Sequence, residues 1–147
     1  MNHFGTRVLV WGFDSQRLSG IIQKIEASGL ASVPVWIGAN KSQSKAYPSA
    51  HELNLRPARC LKPALRSSPS YELYQSLLAA LPGYIDIYSR HMNIAQQAPS
   101  QVIDNFMSSV RLSYDMLVSD SIGVVLFNNI PHEGFDFVLY NLSLIHI

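Results

Sequence analysis

Ser121-Ile-Gly-Val-Val-Leu-Phe127-Asn-Asn-Ile-Pro131-His-Glu-Gly-Phe-Asp136-Phe-Val-Leu-Tyr140 is the stretch on which the fold turns. From Ile122 to Phe127 it is an apolar run with one glycine, short and β-branched enough for a buried strand. Asn128, Asn129 and Pro131 break the run. Phe135, Val138 and Leu139 then recur at helical spacing, with Glu133 and Asp136 in the first turn, where acidic side chains suit the helix dipole. Strand, polar loop and helix make the unit in which open α/β sheets hold ligands at a strand's carboxyl end. The apolar run leaves no polar face for water, so the strand is expected to be central, with helices on both sides.

Working outward, Arg7-Val-Leu-Val-Trp-Gly12 reads as a first strand buried on both faces. Asp14 or Ser15 can cap a following helix that carries Leu18, Ile21, Ile22 and Ile25 on one face and ends at Gly29. Val33-Pro-Val-Trp-Ile37 is a second strand. Pro34 cannot donate to a ladder, which predicts an unpaired start or a sheet edge there. These pieces form a βαβ unit of about the usual ~30 residues. With the 122–127 strand they predict a three-layer, Rossmann-like α/β domain whose doubly wound parallel sheet is incomplete, in strand order 2-1-3. That order brings the Gly12–Ser15 loop and the Asn128–Glu133 loop to the switch point where such sheets bind ligands. Gly12, Asp14, Asn128 and Asn129 are therefore the candidate ligand-binding residues.

Between Gly38 and Pro69 the pattern dissolves. Four prolines and many serines predict a long loop with short helical pieces. Lys41, Lys45, Arg56, Arg59, Lys62 and Arg66 make it basic against a single Glu52, whereas residues 67–147 hold two basic and seven acidic residues. A solvated loop explains this asymmetry more simply than a polyanion-facing side. Ser68-Pro69 then looks like a cap and first turn for a helix with Leu73, Leu77 and Leu81. Pro82-Gly83 punctuates, and Tyr84, Ile85, Ile87 and Tyr88 fit a second short helix. From Pro99 a long helix carries Val102, Phe106, Val110, Ser113 or Tyr114, and Leu117 on its buried face and ends at Ser119-Asp120.

With 147 residues the chain is long enough for one domain with its own core. It is 48% hydrophobic and only 14% charged, so much of its surface is expected to be covered or to belong to something larger. A formal net charge of +1 argues against a general nucleic-acid binder. The single cysteine, Cys60, excludes an internal disulfide and a multi-cysteine metal site. No apolar run approaches the ~18 residues of a membrane span, and the N-terminus lacks a signal peptide's regions, which predicts a cytoplasmic chain. Residues 142–147, Leu-Ser-Leu-Ile-His-Ile, match what one reading frame of a common transposon-based sequencing adapter encodes. They are set aside. The domain is accordingly expected to span residues 1–141, the natural sequence to stop near Asn141, and neither His146 nor Asn141-Leu-Ser143 to be a functional motif.

Few residues could carry chemistry. The first loop has one glycine and resembles neither a three-glycine pyrophosphate cradle nor a P-loop, so Gly12 suits a tight turn and Asp14 a cap. His132-Glu133 is the stronger candidate catalytic pair: a loop imidazole can act as a base near neutral pH, and a neighbouring carboxylate could orient it. Adjacent residues at a helix start do not face each other, however. In the plain structural alternative Asn128 or Asn129 caps, Glu133 suits the dipole and His132 is simply exposed. His51 and His91 lack spaced partners for a metal site, and none is expected.

The stretch Val124–Tyr140 resembles bacterial surface-polysaccharide biosynthesis proteins of the capsule and exopolysaccharide kind, in which a hydrophobic strand enters a Pro-His-Glu loop and then an Asp-x-x-Leu-Tyr helix. Tyr88-Ser-Arg90 and the long helix before Asp120 are similar too, so the resemblance covers residues 70–141. It implies a two-domain glycosyltransferase whose first half takes the saccharide acceptor and whose second half takes the sugar nucleotide. On that implication His132 and Glu133 line the acceptor side, with His132 as base. The chain itself then carries no cofactor, and its partners are a saccharide acceptor and an absent C-terminal domain that binds the nucleotide-sugar donor. Neither nucleic acid nor a transmembrane segment is expected, and peripheral membrane association is compatible with this. Lacking the second half, the chain is not expected to be a competent enzyme. Two alternatives are a non-catalytic assembly or export partner of the same pathway and a generic nucleotide-binding α/β domain.

Overall fold

The computed structural model describes residues 5–52, 66–91 and 96–146. Among them the elements run β1 (Thr6–Trp11), α1 (Gln16–Ala27), β2 (Ala31–Ala39), α2 (Lys41–Ala46), β3 (Ala50–Glu52), α3 (Tyr71–Leu78), α4 (Leu81–His91), α5 (Pro99–Ser119), β4 (Val124–Phe127) and α6 (Gly134–His146). The protein is a mixed α/β chain with an open, all-parallel sheet in the order β3-β2-β1-β4. It divides into two compact units. One comprises Met1–Arg56 and Met116–Ile130, the other Pro57–Asp115 and Pro131–His146.

The first unit holds the sheet. β1 pairs with β2 through Leu9↔Val35 and Val10↔Trp36, and with β4 from Val8↔Val124 to Trp11↔Phe127. Strand side chains alternate between faces. Val8 and Val10 thus share one face of β1, and a register slip in β2 brings Val33 as well as Trp36 to that face, where Ile22 of α1, Phe13 and Ala50 complete a buried cluster. Leu9, Trp11, Val35 and Ile37 on the other face are buried as well, as a parallel sheet requires. α1 starts at Ser15, whose hydroxyl accepts from the Leu18 amide at 3.2 Å; of the two expected caps, Asp14 is not used. Past its end, Gly29 takes a positive φ of 68°.

Several expectations need correction. The strand expected to be central, Ile122–Phe127, is shorter, and β4 lies at the sheet edge with Val124 exposed. Apolar composition shows that a strand can be buried but not which neighbours it has. Pro34 lies inside β2, an inner strand, but at a point where β1 is its only paired neighbour, in keeping with an expected start left unpaired on one side. The β1–β2 register slips between Arg7 and Leu9, opposite Ser32 and Val35, and β3 pairs only from Trp36 onward, so no ladder bond is asked of the proline. In the 38–69 segment α2 is a short helical piece of the kind expected, and the three-residue strand β3 is what the reading lacked. Arg56, Arg59, Lys62 and Cys60 lie outside the described residues.

The second unit is helical. Ser70, and not Ser68, caps α3 by accepting from the Leu73 amide at 3.3 Å. Pro82 and Gly83 open α4 and do not interrupt it; proline is tolerated in a first turn, whose N–H groups have no intrahelical partner. α5 follows its expected course, with Val102, Phe106, Val110, Ser113 and Leu117 buried. Tyr84 is the hub, stacked on Tyr88 at 5.3 Å and edge-on to Phe106 at 5.1 Å. Glycines let α6 sit close to α4. A Cβ on Gly134 would come within 2.9 Å of Tyr84, and one on Gly83 within 2.9 Å of Phe137. α6 continues through Asn141 to His146, with Leu142 fully buried.

Candidate functional site

In the sheet unit, β1 and β4 end side by side. Gly12 and Asn128 follow their last residues, and the Asn128 amide donates to the Trp11 carbonyl at 3.1 Å. The chain steps from β1 to β2 to β3 in one direction and then places β4 on the other flank of β1. Strand order therefore reverses between β1 and β4, and these two turns lie at the carboxyl ends beside that reversal.

The turn after β1 is tightly specified. Gly12 and Phe13 both have positive φ, at 82° and 64°, which costs a non-glycine residue such as Phe13 about 1–3 kcal/mol unless its surroundings enforce it. The surroundings do. The Gly12 carbonyl accepts from the Trp36 indole N–H at 2.6 Å, and the Asp14 carbonyl accepts from Asn40 Nδ2 at 2.6 Å. Gln43 Nε2 donates to the carbonyls of Phe13 and Ser15 at 3.3 and 3.4 Å. Asn40 and Gln43 can do this because they form the capping box of α2 and are held in place by it. Gly12 has a second reason to be glycine: a Cβ there would fall 2.2 Å from Asn128 Oδ1. The space above it, which a pyrophosphate would approach in a dinucleotide fold, is filled by the Asn128 side chain.

Asn128 and Asn129 are exposed, and Asn129 Oδ1 accepts from the Ile130 amide at 2.9 Å. Neither caps a helix: α6 begins at Gly134, and the Glu133 carbonyl accepts its first helical bond from Phe137 at 3.1 Å.

His132 and Glu133 belong to the helical unit. Asp136 governs their backbone. Its Oδ1 accepts from the Glu133 amide at 2.8 Å and its Oδ2 from the His132 amide at 3.1 Å. This is the acidic half of a capping box, reaching back from the third helical position. Asp136 is 1% exposed, and burial pushes its carboxyl above the ordinary range, against those two amide donors, which pull it down. His132 Nδ1 lies 3.9 Å from Asp136 Oδ2, and its side chain is 54% exposed. The carboxylate facing the imidazole is thus four residues along, and not the sequence neighbour Glu133. The residues alone mark Asp136 as a first-turn acid suited to the helix dipole. The usable signal was the spacing Glu133-x-x-Asp136, the same offset as Asn40-x-x-Gln43.

Among the described residues no group of three or more His, Cys, Asp or Glu could hold a metal ion, and no helix is long and apolar enough to cross a membrane. No protein-family profile, curated protein or solved structure matches the chain.

Proposed function

We propose that this chain is the acceptor-side, three-layer Rossmann-like half of a glycosyltransferase in bacterial surface-polysaccharide biosynthesis, cytoplasmic in location. The observation that carries the reading is the strand order. β1 and β4 are parallel neighbours on either side of the order reversal, so Gly12 and Asn128 stand together where open α/β sheets take ligands. The motif resemblance over Val124–Tyr140 supplies the substrate class. In the sheet unit, Asn128 and Asn129 are the side chains that would hydrogen-bond a saccharide; Glu133 belongs, with His132, to the helical unit. His132 is the base that would take the proton of an attacking hydroxyl. The nucleotide-sugar donor belongs to the second half. Two features speak against a dinucleotide in this half: Asn128 fills the space over Gly12, and the end of β2 bears Asn40, engaged with α2, where a ribose-binding carboxylate would stand.

Saturation-transfer NMR on the 147-residue chain tests this. Hexoses, hexosamines and short oligosaccharides are compared with nucleoside diphosphates and nucleotide sugars. Saccharide signals that weaken in His132→Ala are the expected result. Signals from the nucleotides alone would replace the reading with a nucleotide-binding domain, and no signal from either class would favour a non-catalytic assembly partner.

A further inference from the structure

We propose that Asp136 is the positioning residue for His132, fixing the imidazole as the Nδ1–H tautomer so that Nε2 carries the lone pair that meets the substrate hydroxyl. The proposal rests on the acceptor-side reading and assigns the orienting role to Asp136 in place of Glu133.

Three observations carry it. The Asp136 carboxylate is fully buried and each of its oxygens accepts a backbone N–H, from Glu133 and from His132, so it cannot turn away. Its Oδ2 faces His132 Nδ1 at 3.9 Å, while the histidine side chain is about half exposed. That separation is longer than a hydrogen bond yet close enough for a charge to bias a proton's position, and such contacts in unliganded proteins commonly tighten when substrate binds. A neutral imidazole has one N–H and one lone pair, and the partner of one nitrogen decides which is which. With a carboxylate beside Nδ1, the proton stays there and Nε2 is left basic.

The test needs no substrate, so its failure and that of the saccharide reading are distinguishable. Long-range ¹H–¹⁵N correlation spectra of the whole chain, recorded where imidazoles are neutral, report the tautomer of each histidine. His132→Gln identifies the His132 signals by their loss. The expected result is Nδ1–H as the majority form of His132 in the unaltered chain, reverting in Asp136→Asn toward the Nε2–H form that imidazoles favour in water. Nε2–H in the unaltered chain would overturn the proposal and leave Asp136 a helix cap. So would an Nδ1–H majority that survives in a folded Asp136→Asn chain, because another group would then be setting it. Where Asp136→Asn does not fold, Asp136→Ser, whose hydroxyl can still accept an amide N–H but carries no charge, replaces it with the same two outcomes.

Discussion

In the turn after β1, every carbonyl from Gly12 to Ser15 accepts a side-chain proton, from Trp36, Gln43, Asn40 and Gln43 in turn. In the turn that leads into α6, the anchoring group is instead one buried carboxylate, Asp136, which holds two backbone amides and faces an imidazole. Both turns leave a parallel strand and begin a helix. The first spends its polar groups on its own shape. The second fixes its backbone with a buried carboxylate and leaves the His132 side chain about half exposed.

The largest effect should separate β1 from β4. Val10 is fully buried in β1, so Val10→Asp should cost about 4 kcal/mol or more, whereas Val125→Asp in the edge strand should cost on the order of 1–2 kcal/mol. Urea unfolding followed by the fluorescence of Trp11 and Trp36 reads both. Equal losses would mean that β4 is as enclosed as β1.

Gly12→Ala comes next. It places a Cβ against Asn128 at a positive φ and should cost roughly 2–4 kcal/mol from strain and overpacking together. Adding Asn128→Gly should recover the packing part and not the strain part, giving a non-zero coupling in a double-mutant cycle. Simple additivity would show that the Asn128 side chain does not occupy that space.

Asp136 offers a sign rather than a size. Because burial raises its carboxyl in the folded chain, the folded state holds the proton more tightly than the unfolded one. The associated stability is complete below the unfolded value of about 4 and is lost as pH rises through the raised folded value. Asp136→Asn should flatten that decline in urea midpoints followed by circular dichroism. A stability that rises with pH across this window in the unaltered chain alone would reverse the assignment. The smallest effect is Asn40→Ala, which removes the cap of α2 and the clamp on Asp14 for about 1 kcal/mol.

Much of this fold was legible in the residues. β1, α1, β2 and α5 carry long apolar periodicities, and the relative order of β2, β1 and β4 followed from the βαβ logic. β3 was not legible, because three residues have no period and owe their strand to pairing beside Trp36. α2 likewise lacks an apolar face, although Asn40-x-x-Gln43 announced its start. The edge position of β4 was hidden because its composition suits a central strand equally well. At the site, His132 and Glu133 stood out by type, but which carboxylate faces the ring depends on a helix starting at Gly134, two residues beyond His132.

The contrast between the two turns is tested most directly by backbone amide shifts of the ¹⁵N-labelled chain during titration with whichever saccharide gives the strongest saturation transfer. The expected result is movement of the amides from Asn128 to Asp136, with those of Phe13, Asp14 and Ser15 unmoved. Shifts confined to Phe13–Ser15, with Asn128–Asp136 silent, would contradict it.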